Sequence, residues 1–386
     1  MTRLRDRITR KHLWILLAIA GLTLAGCGDD NGQPVTDSAP PVDAGPDGTT
    51  PDTAVEHKAI SLNVAHVNDT HSQFEATSQT VTFDIQGSQE QTGTQMGGYP
   101  RLITKIKELQ SNNPKMLTLH AGDAVQGTLY FVEHGEKADV EMLNLMKLDA
   151  FVLGNHEFDR GPQLAADLIQ DAQFPVLGAN VDASNEPLLK DKITPYVIKD
   201  VDGEKVAILG LLTETTAEIA KPGNTVTFED PVTKAKALVT EVEGQGINKI
   251  ILLSHLGYDK DIELAKAVAG IDVIVGGHSH TLLGESKAFE DIGMFANDPY
   301  PTMAKDPDGK DVCIVQAWSS ARAIGLLDVD LDVEGYVTKC QGKDLLLVSD
   351  SFTQYDPVQK KVVAVDATKK AAIEQVIQAS SVIEVV

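Results

Sequence analysis

Six consecutive residues, Gly154-Asn155-His156-Glu157-Phe158-Asp159, follow the apolar run Phe151-Val152-Leu153. An amide that can bind a metal through its oxygen stands beside an imidazole that can carry a proton, and a carboxylate three residues later can orient that imidazole. These are the parts that hydrolysis of a phosphate ester requires. Alone, the string also suits an ordinary strand-to-loop junction.

Four further strand ends carry groups of the same kind. Asn68-Asp69-Thr70-His71 follows Ser61–Val67, and the alternation of Asp69 and His71 lets both reach one ion. Ala121-Gly122-Asp123 follows Met116–His120, with a glycine where the backbone must turn before the carboxylate. Ser254-His255-Leu256-Gly257 follows Ile250–Leu253, and Gly276-Gly277-His278-Ser279-His280 follows Val273–Val275, its two histidines spaced for chelation. Each string by itself also reads as a solvated turn or capped loop. Of the ten histidines, His71, His156, His255, His278 and His280 fall in these loops. His66 and His120 lie within predicted strands and His134 precedes a glycine, so these three read as core or surface residues, with His120 near enough to Asp123 to support it.

The elements that must position these groups alternate in type. Strands are predicted at Ser61–Val67, Met116–His120, Phe151–Leu153, Val176–Ala179, Val206–Leu211, Ile250–Leu253 and Val273–Val275. Helices are predicted at Pro100–Gln110, Lys137–Met146, Gly161–Ala172, Pro231–Glu243 and Asp259–Ala269. Such alternation implies an α/β sheet core covered by helices, and ligands of α/β sheets collect outside the carboxyl ends of the strands. Val312–Trp318, Ala323–Val333 and Tyr336–Lys339 have no helix between them and read as an antiparallel meander. Ser72–Gly98 reads as a long loop or hairpin near the site.

The order D-x-H, G-D, G-N-H-E-F-D, S-H-L-G and G-G-H-S-H resembles the calcineurin-like metallophosphoesterases, and more narrowly their 5′-nucleotidase and UDP-sugar hydrolase group. Gly97-Gly98-Tyr99-Pro100-Arg101, Gly178-Ala179-Asn180-Val181 and Val315-Gln316-Ala317 add to the resemblance, which covers about residues 60–340. It implies a four-layer α/β/β/α sandwich of two mixed β-sheets flanked by helices. It further implies two divalent ions, one held by Asp69, His71 and His280, the other by Asn155, His255 and His278, with Asp123 bridging. Nitrogen and oxygen donors suit Zn²⁺, Mn²⁺, Fe or Co²⁺ alike. His156, oriented by Asp159, would assist the leaving group, with Asn155 and His156 also touching substrate; Glu157 reads as a structural or outer-shell residue. The implied activity is hydrolysis of nucleotide phosphate monoesters. A UDP-sugar or 2′,3′-cyclic nucleotide hydrolase, or a sulfur-ester hydrolase of related build, is the alternative enzyme, and a non-catalytic surface-anchored binding lipoprotein the alternative of another class.

The N-terminus suggests where the chain works. Arg3, Arg5, Arg7, Arg10 and Lys11 precede an apolar run from Leu13 to Ala25, too short to span a bilayer and typical of a signal peptide. It closes on Leu24-Ala25-Gly26-Cys27, which resembles a bacterial lipobox and implies cleavage after residue 26, lipid on Cys27 and export to the cell envelope, on the periplasmic face or outer membrane. A plain secreted protein with an incidental cysteine is the alternative. Residues 27–58 are Gly, Pro, Asp, Ser and Thr with little to bury, which predicts a flexible acidic tether. The formal charge is −23; without residues 1–26, which carry a net +4, it is −27. So acidic a chain disfavours duplex nucleic acid, and an anionic substrate would need bound cations.

Of three cysteines, Cys313 and Cys340 remain beside Cys27. Their strands are expected to flank Ala323–Val333, which would hold them apart as separate buried thiols. Residues 59–352 form the expected catalytic domain. Residues 353–386, with a helix near Ala367–Ala379, read as a linker towards an absent C-terminal specificity domain, and Val382–Val386 as an exposed apolar patch.

Overall fold

The computed structural model describes residues 56–386. The basic head, the apolar run, Cys27 and the tether up to residue 55 lie outside the described residues. Two mixed β-sheets form the centre. The larger has ten strands, with Ile60–Val67, Leu117–His120, Ala150–Val152 and Val176–Leu177 running parallel in that order. On its other side Ala323–Leu331 adds antiparallel to Ile60–Val67, and Val337–Asp356 adds antiparallel to Ala323–Leu331. The smaller sheet has six strands, of which Glu204–Leu212, Ile250–His255, Val273–Val275 and Asp311–Val315 are mutually parallel.

Side-chain alternation assembles the layers. In the larger sheet Leu62, Val64, Leu117, Leu119, Ala150 and Val152 face one way and share a core with both strands and helices of the smaller sheet. Ala65, Val67, Phe151 and Leu153 face the other way, against Tyr99–Asn112, Lys137–Met146 and Pro162–Asp171. A period of two, with both faces apolar, is what strands buried between another sheet and a helix layer require. The smaller sheet is covered by Pro231–Gly244, started by Asp230 accepting from the Thr233 N–H, and by Tyr258–Ala267. The expected four layers are therefore present.

Three expectations are corrected. Asp311–Val315 belongs to the smaller sheet, parallel to Val273–Val275, while Ala323–Leu331 and Val337–Asp356 belong to the larger, so the predicted meander is divided between two sheets. Ala323–Leu331 consequently does not separate the cysteines. Cys313 and Cys340 sit on facing sheets with Cα atoms 6.4 Å apart and form a disulfide. Val382–Val386 is not an exposed patch: Val382 and Ile383 are buried, and Ile383–Val385 pairs parallel to Val337–Asp356.

Residues 353–386 add to the larger sheet through Lys361–Ala364 and Ile383–Val385. The helix Ala367–Ala379 packs Ile373 and Ile377 against Val81 and Phe83 of the hairpin Thr77–Ile85/Ser88–Met96. That hairpin accounts for most of the polar stretch Ser72–Gly98. No helix among the described residues is long and apolar enough to cross a membrane.

Candidate metal centre

Parallel strands of both sheets end on one side, and the loops leaving them meet there. Five of the candidate donors they carry adopt left-handed backbone: Asp69 (φ 50°), His71 (49°), Asp123 (55°), His278 (72°) and His280 (54°). For a residue with a Cβ this costs about 1 kcal/mol or more, and it persists only where surrounding bonds enforce it. Here the bonds run between loops. The N–H groups of Asp69, His71 and Ser72 donate to the carbonyls of Gly122, Asp123 and Ala124, and Ser320 N–H donates to the Asp69 carbonyl. Gly122 (φ 85°) makes the turn before Asp123, where an added Cβ would lie 2.7 Å from His255 Nδ1.

Every donor named from the sequence is brought together. Asp69 Oδ1 lies 3.3 Å from His280 Nε2 and 3.9 Å from His71 Nε2, and the two imidazole nitrogens are 2.9 Å apart. Asp123 Oδ2 lies 3.1 Å from His255 Nε2, and His278 Nδ1 lies 2.9 Å from Asn155 Oδ1. Asp69, His71 and His280 form one compact donor group and Asp123, His255 and His278 another, while Asp123 is also grouped with His71 and His156. Asp123 thus stands between the two.

The surroundings leave these donors suited to a cation. His255 Nε2 is buried without a hydrogen-bond partner and aims at Asp123, while its Nδ1 donates to the Ala121 carbonyl at 2.6 Å. Burial holds His71 and His278 below the usual histidine range, which keeps a lone pair free for a metal. Burial would raise Asp123, but the charges of His255, His156 and His71 hold it well below the usual carboxylate range. Burial opposes protonation of His255, yet Asp123 draws it up to about 10, so an ion binding there must displace a proton. A set of imidazole, carboxylate and amide donors packed this closely fits divalent cations of the Zn²⁺, Mn²⁺, Fe or Co²⁺ kind.

His156 differs from the others. Its Nδ1 lies 2.6 Å from Asp159 Oδ2, its Nε2 3.9 Å from Asp123 Oδ2, and its side chain is 29% exposed. Burial lowers its pKa, but the charge of Asp123 and the hydrogen bond to Asp159 outweigh that and raise it. The geometry suits a proton donor at the rim, oriented by Asp159.

Supporting residues hold the donor loops, one of them expected from the sequence and two not. Glu157, expected as a structural or outer-shell residue, is fully buried and accepts from the N–H groups of Gly154 (2.6 Å), Asp123 (3.1 Å) and Ala124 (2.9 Å), tying two donor loops together. Burial and the charge of Asp123 push its carboxyl up to about 7. Gln316 donates to the Gly277 carbonyl at 2.9 Å and accepts from Thr281 N–H and Ser279 Oγ, clamping the loop that carries His278 and His280. Asn68 donates to Asp69 Oδ2 at 2.6 Å and accepts from Ala317 N–H at 2.8 Å. Their motif strings were visible, but an amide or acid that binds backbone has no chemical signature in sequence. His66, on Tyr300, and His57, on Glu204, lie outside the cluster, and His120, expected beside Asp123, bonds instead to Thr70 Oγ1 at 3.0 Å and to the Gly122 N–H.

A family model described as calcineurin-like phosphoesterase matches residues 62–282. The chain is 39% identical over 280 residues to the NAD 5′-nucleotidase of Haemophilus influenzae, an alignment covering 72% of this chain and 46% of that protein. It is 35% identical to human 5′-nucleotidase over 297 residues, 75% of this chain and 50% of that one. Among solved structures, Haemophilus influenzae NAD nucleotidase superposes with a TM-score of 0.81 at 34% identity, covering 86% of this chain and 58% of that one. A 5′-nucleotidase precursor from Thermus thermophilus gives 0.68 at 40% identity, covering 83% and 59%. The chain spans about half the length of the curated relatives it matches.

Proposed function

The chain belongs to the calcineurin-like phosphoesterase family, and from that premise we propose that it hydrolyses phosphate monoesters of nucleotides at a two-metal centre. The observation that carries the proposal is the convergence of seven donors into two groups joined through Asp123. In this reading Asp69, His71 and His280 hold one ion, Asn155, His255 and His278 the other, and Asp123 both. Bound divalent ions would supply Lewis acidity towards phosphate oxygens and lower the pKa of a water. His156 would bind a phosphate oxygen through Nε2 and deliver a proton to the departing alkoxide, with Asp159 holding Nδ1 so that Nε2 faces the substrate. Asn155 would face the substrate from the neighbouring position.

The names borne by relatives support a 5′-nucleotide as substrate. A UDP-sugar or 2′,3′-cyclic nucleotide would use the same centre. For location, the lipobox-like Leu24–Cys27 supports export and lipid attachment at Cys27, and the Cys313–Cys340 disulfide suits an oxidising compartment. Residues 59–352 would form the catalytic unit, with residues 353–386 completing its larger sheet.

The test is a panel of nucleoside monophosphates, NAD, UDP-sugars, 2′,3′-cyclic nucleotides and an aryl phosphate, assayed with metal-replete protein. A nucleoside monophosphate should be turned over fastest. His156→Ala should retain its metal and lose about 10²–10⁴-fold in kcat. Full metal occupancy without turnover of any panel member would refute the enzymatic reading and leave a binding protein. Loss of metal with unchanged turnover in His156→Ala would refute the role given to that residue.

A further inference from the structure

Asp69, His71 and Ser72 place three left-handed residues within four positions, and Asp123 adds a fourth on the facing loop. Beneath these loops runs a buried hydrogen-bond chain that none of the roles above uses. Gly122 N–H donates to His120 Nδ1 at 3.2 Å, so His120 carries its proton on Nε2 and donates to Thr70 Oγ1 at 3.0 Å. Thr70 is then free to donate to the Tyr99 hydroxyl at 3.1 Å, and Tyr99 donates to Asp139 Oδ1 at 3.1 Å. Ser72 Oγ donates to Asp139 Oδ2 at 2.8 Å. The Thr70 and Tyr99 hydroxyls each accept once and donate once along the chain, Ser72 donates to the same carboxylate, and the direction is set by an amide at one end and a carboxylate at the other. His120, Thr70, Tyr99, Ser72 and Asp139 are all fully buried. The Tyr99 hydroxyl also lies 3.4 Å from the carbonyl of Ala124, the residue after Asp123.

We propose that the Tyr99 hydroxyl, anchored by Asp139, is a positioning group that holds the Asp69–His71 loop and the Asp123 loop in metal-binding register. The inference rests on the reading of Asp69, His71 and His280 as ligands of one ion. Thr70 lies between two of those ligands and Ser72 next to one, so a rotation of either loses a bond to the chain below. Asp139 comes from the helix Lys137–Met146, packed on the far side of the larger sheet, so the chain ties the loops to rigid structure.

Tyr99→Phe tests this cleanly, because the ring keeps its edge contact with Phe74 (centroids 5.0 Å apart) and only the hydroxyl is lost. Chelator-treated protein is titrated with Mn²⁺ by calorimetry at about pH 8, above the value of about 7 to which burial pushes Asp139. Amide hydrogen exchange is followed over residues 68–73 and 121–125. The parent should bind two ions. Tyr99→Phe should bind one of them about tenfold more weakly, exchange faster in both segments, and regain kcat with excess Mn²⁺ at unchanged KM. Asp139→Asn should act in the same direction, and the double variant should be less than additive. If Asp139→Asn does not fold, Thr70→Val cuts the chain from its other side. A parent that binds two ions, with variants that keep its Mn²⁺ affinity and exchange rates while only melting earlier, would overturn the positioning role alone. A parent binding fewer than two would overturn the two-ion reading, and this inference with it.

Discussion

Gly154→Ala should disable the centre through a single methyl group. An added Cβ at Gly154 would stand 2.1 Å from Asp123 Oδ1, 2.5 Å from Asp123 N and 2.8 Å from its Cγ, where real Cβ contacts essentially never fall below 3.0 Å. Asp123 Oδ1 must therefore retreat by at least about 0.9 Å, and the backbone nitrogen behind it by about half as much. The carboxylate cannot rotate away at no cost, because Oδ1 accepts from His156 N–H at 2.9 Å and Asp123 N–H is held by Glu157. Overpacking of this kind costs about 1–3 kcal/mol in stability. A shift near 1 Å at the bridging position should cost about 10²-fold in turnover. The assay compares bound metal, kcat on a nucleoside monophosphate and urea midpoint for Gly154→Ala and for Gly244→Ala. Gly244 ends the helix Pro231–Gly244 with nothing within 4 Å of its Cβ position, so that control should keep full activity. A Gly154→Ala protein with two ions and parental kcat would refute the placement of Asp123 between the donor groups.

The remaining expectations concern stability. Cys313→Ala with Cys340→Ala opens a loop of 27 residues' separation and should lower unfolding free energy by about 3.5 kcal/mol with kcat unchanged, read from urea unfolding and steady-state kinetics. Asp261 is fully buried, and burial pushes it up from its ordinary 3.8 to about 7. Such an acid holds its proton more tightly folded than unfolded, so the stability it contributes is full below about pH 4 and is lost as pH rises towards about 7. Asp261→Asn should flatten that decline in chelator-treated protein; a profile identical to the parent's would refute it. Glu157→Gln turns one of three accepting contacts into a donor facing a donor, and should cost about 2 kcal/mol and weaken metal binding, checked by urea unfolding and metal titration.

The donors were legible in the sequence because metal chemistry narrows the choice of residue. Imidazoles, carboxylates, thiolates and amide oxygens serve, and the placement of histidines, aspartates and an asparagine just after apolar runs such as Val273–Val275 put them at strand ends. The layers were legible because both faces of strands like Ile250–Leu253 are apolar. Which sheet a strand joins was not. Val312–Val315 is as apolar as its neighbours in either sheet, and its parallel pairing with Val273–Val275 depends on contacts far apart in the chain. The disulfide was misjudged for that reason, since Cys313 and Cys340 meet across sheets rather than along one. The fate of Val382–Val386 was hidden likewise, because its partner strand lies more than 30 residues earlier. Tyr99, Thr70 and Asp139 were invisible as a group because hydroxyls and helix acids are common at the surface, and only the fold shows that these are buried together.

The central claim, that two ions bridged through Asp123 perform phosphate-ester hydrolysis, is tested most directly by adding Mn²⁺ stepwise to chelator-treated protein while following turnover of a nucleoside monophosphate. Activity that rises to a plateau only when two ions per chain are bound is the predicted result. A plateau at one ion per chain, or turnover that persists without metal, would contradict it.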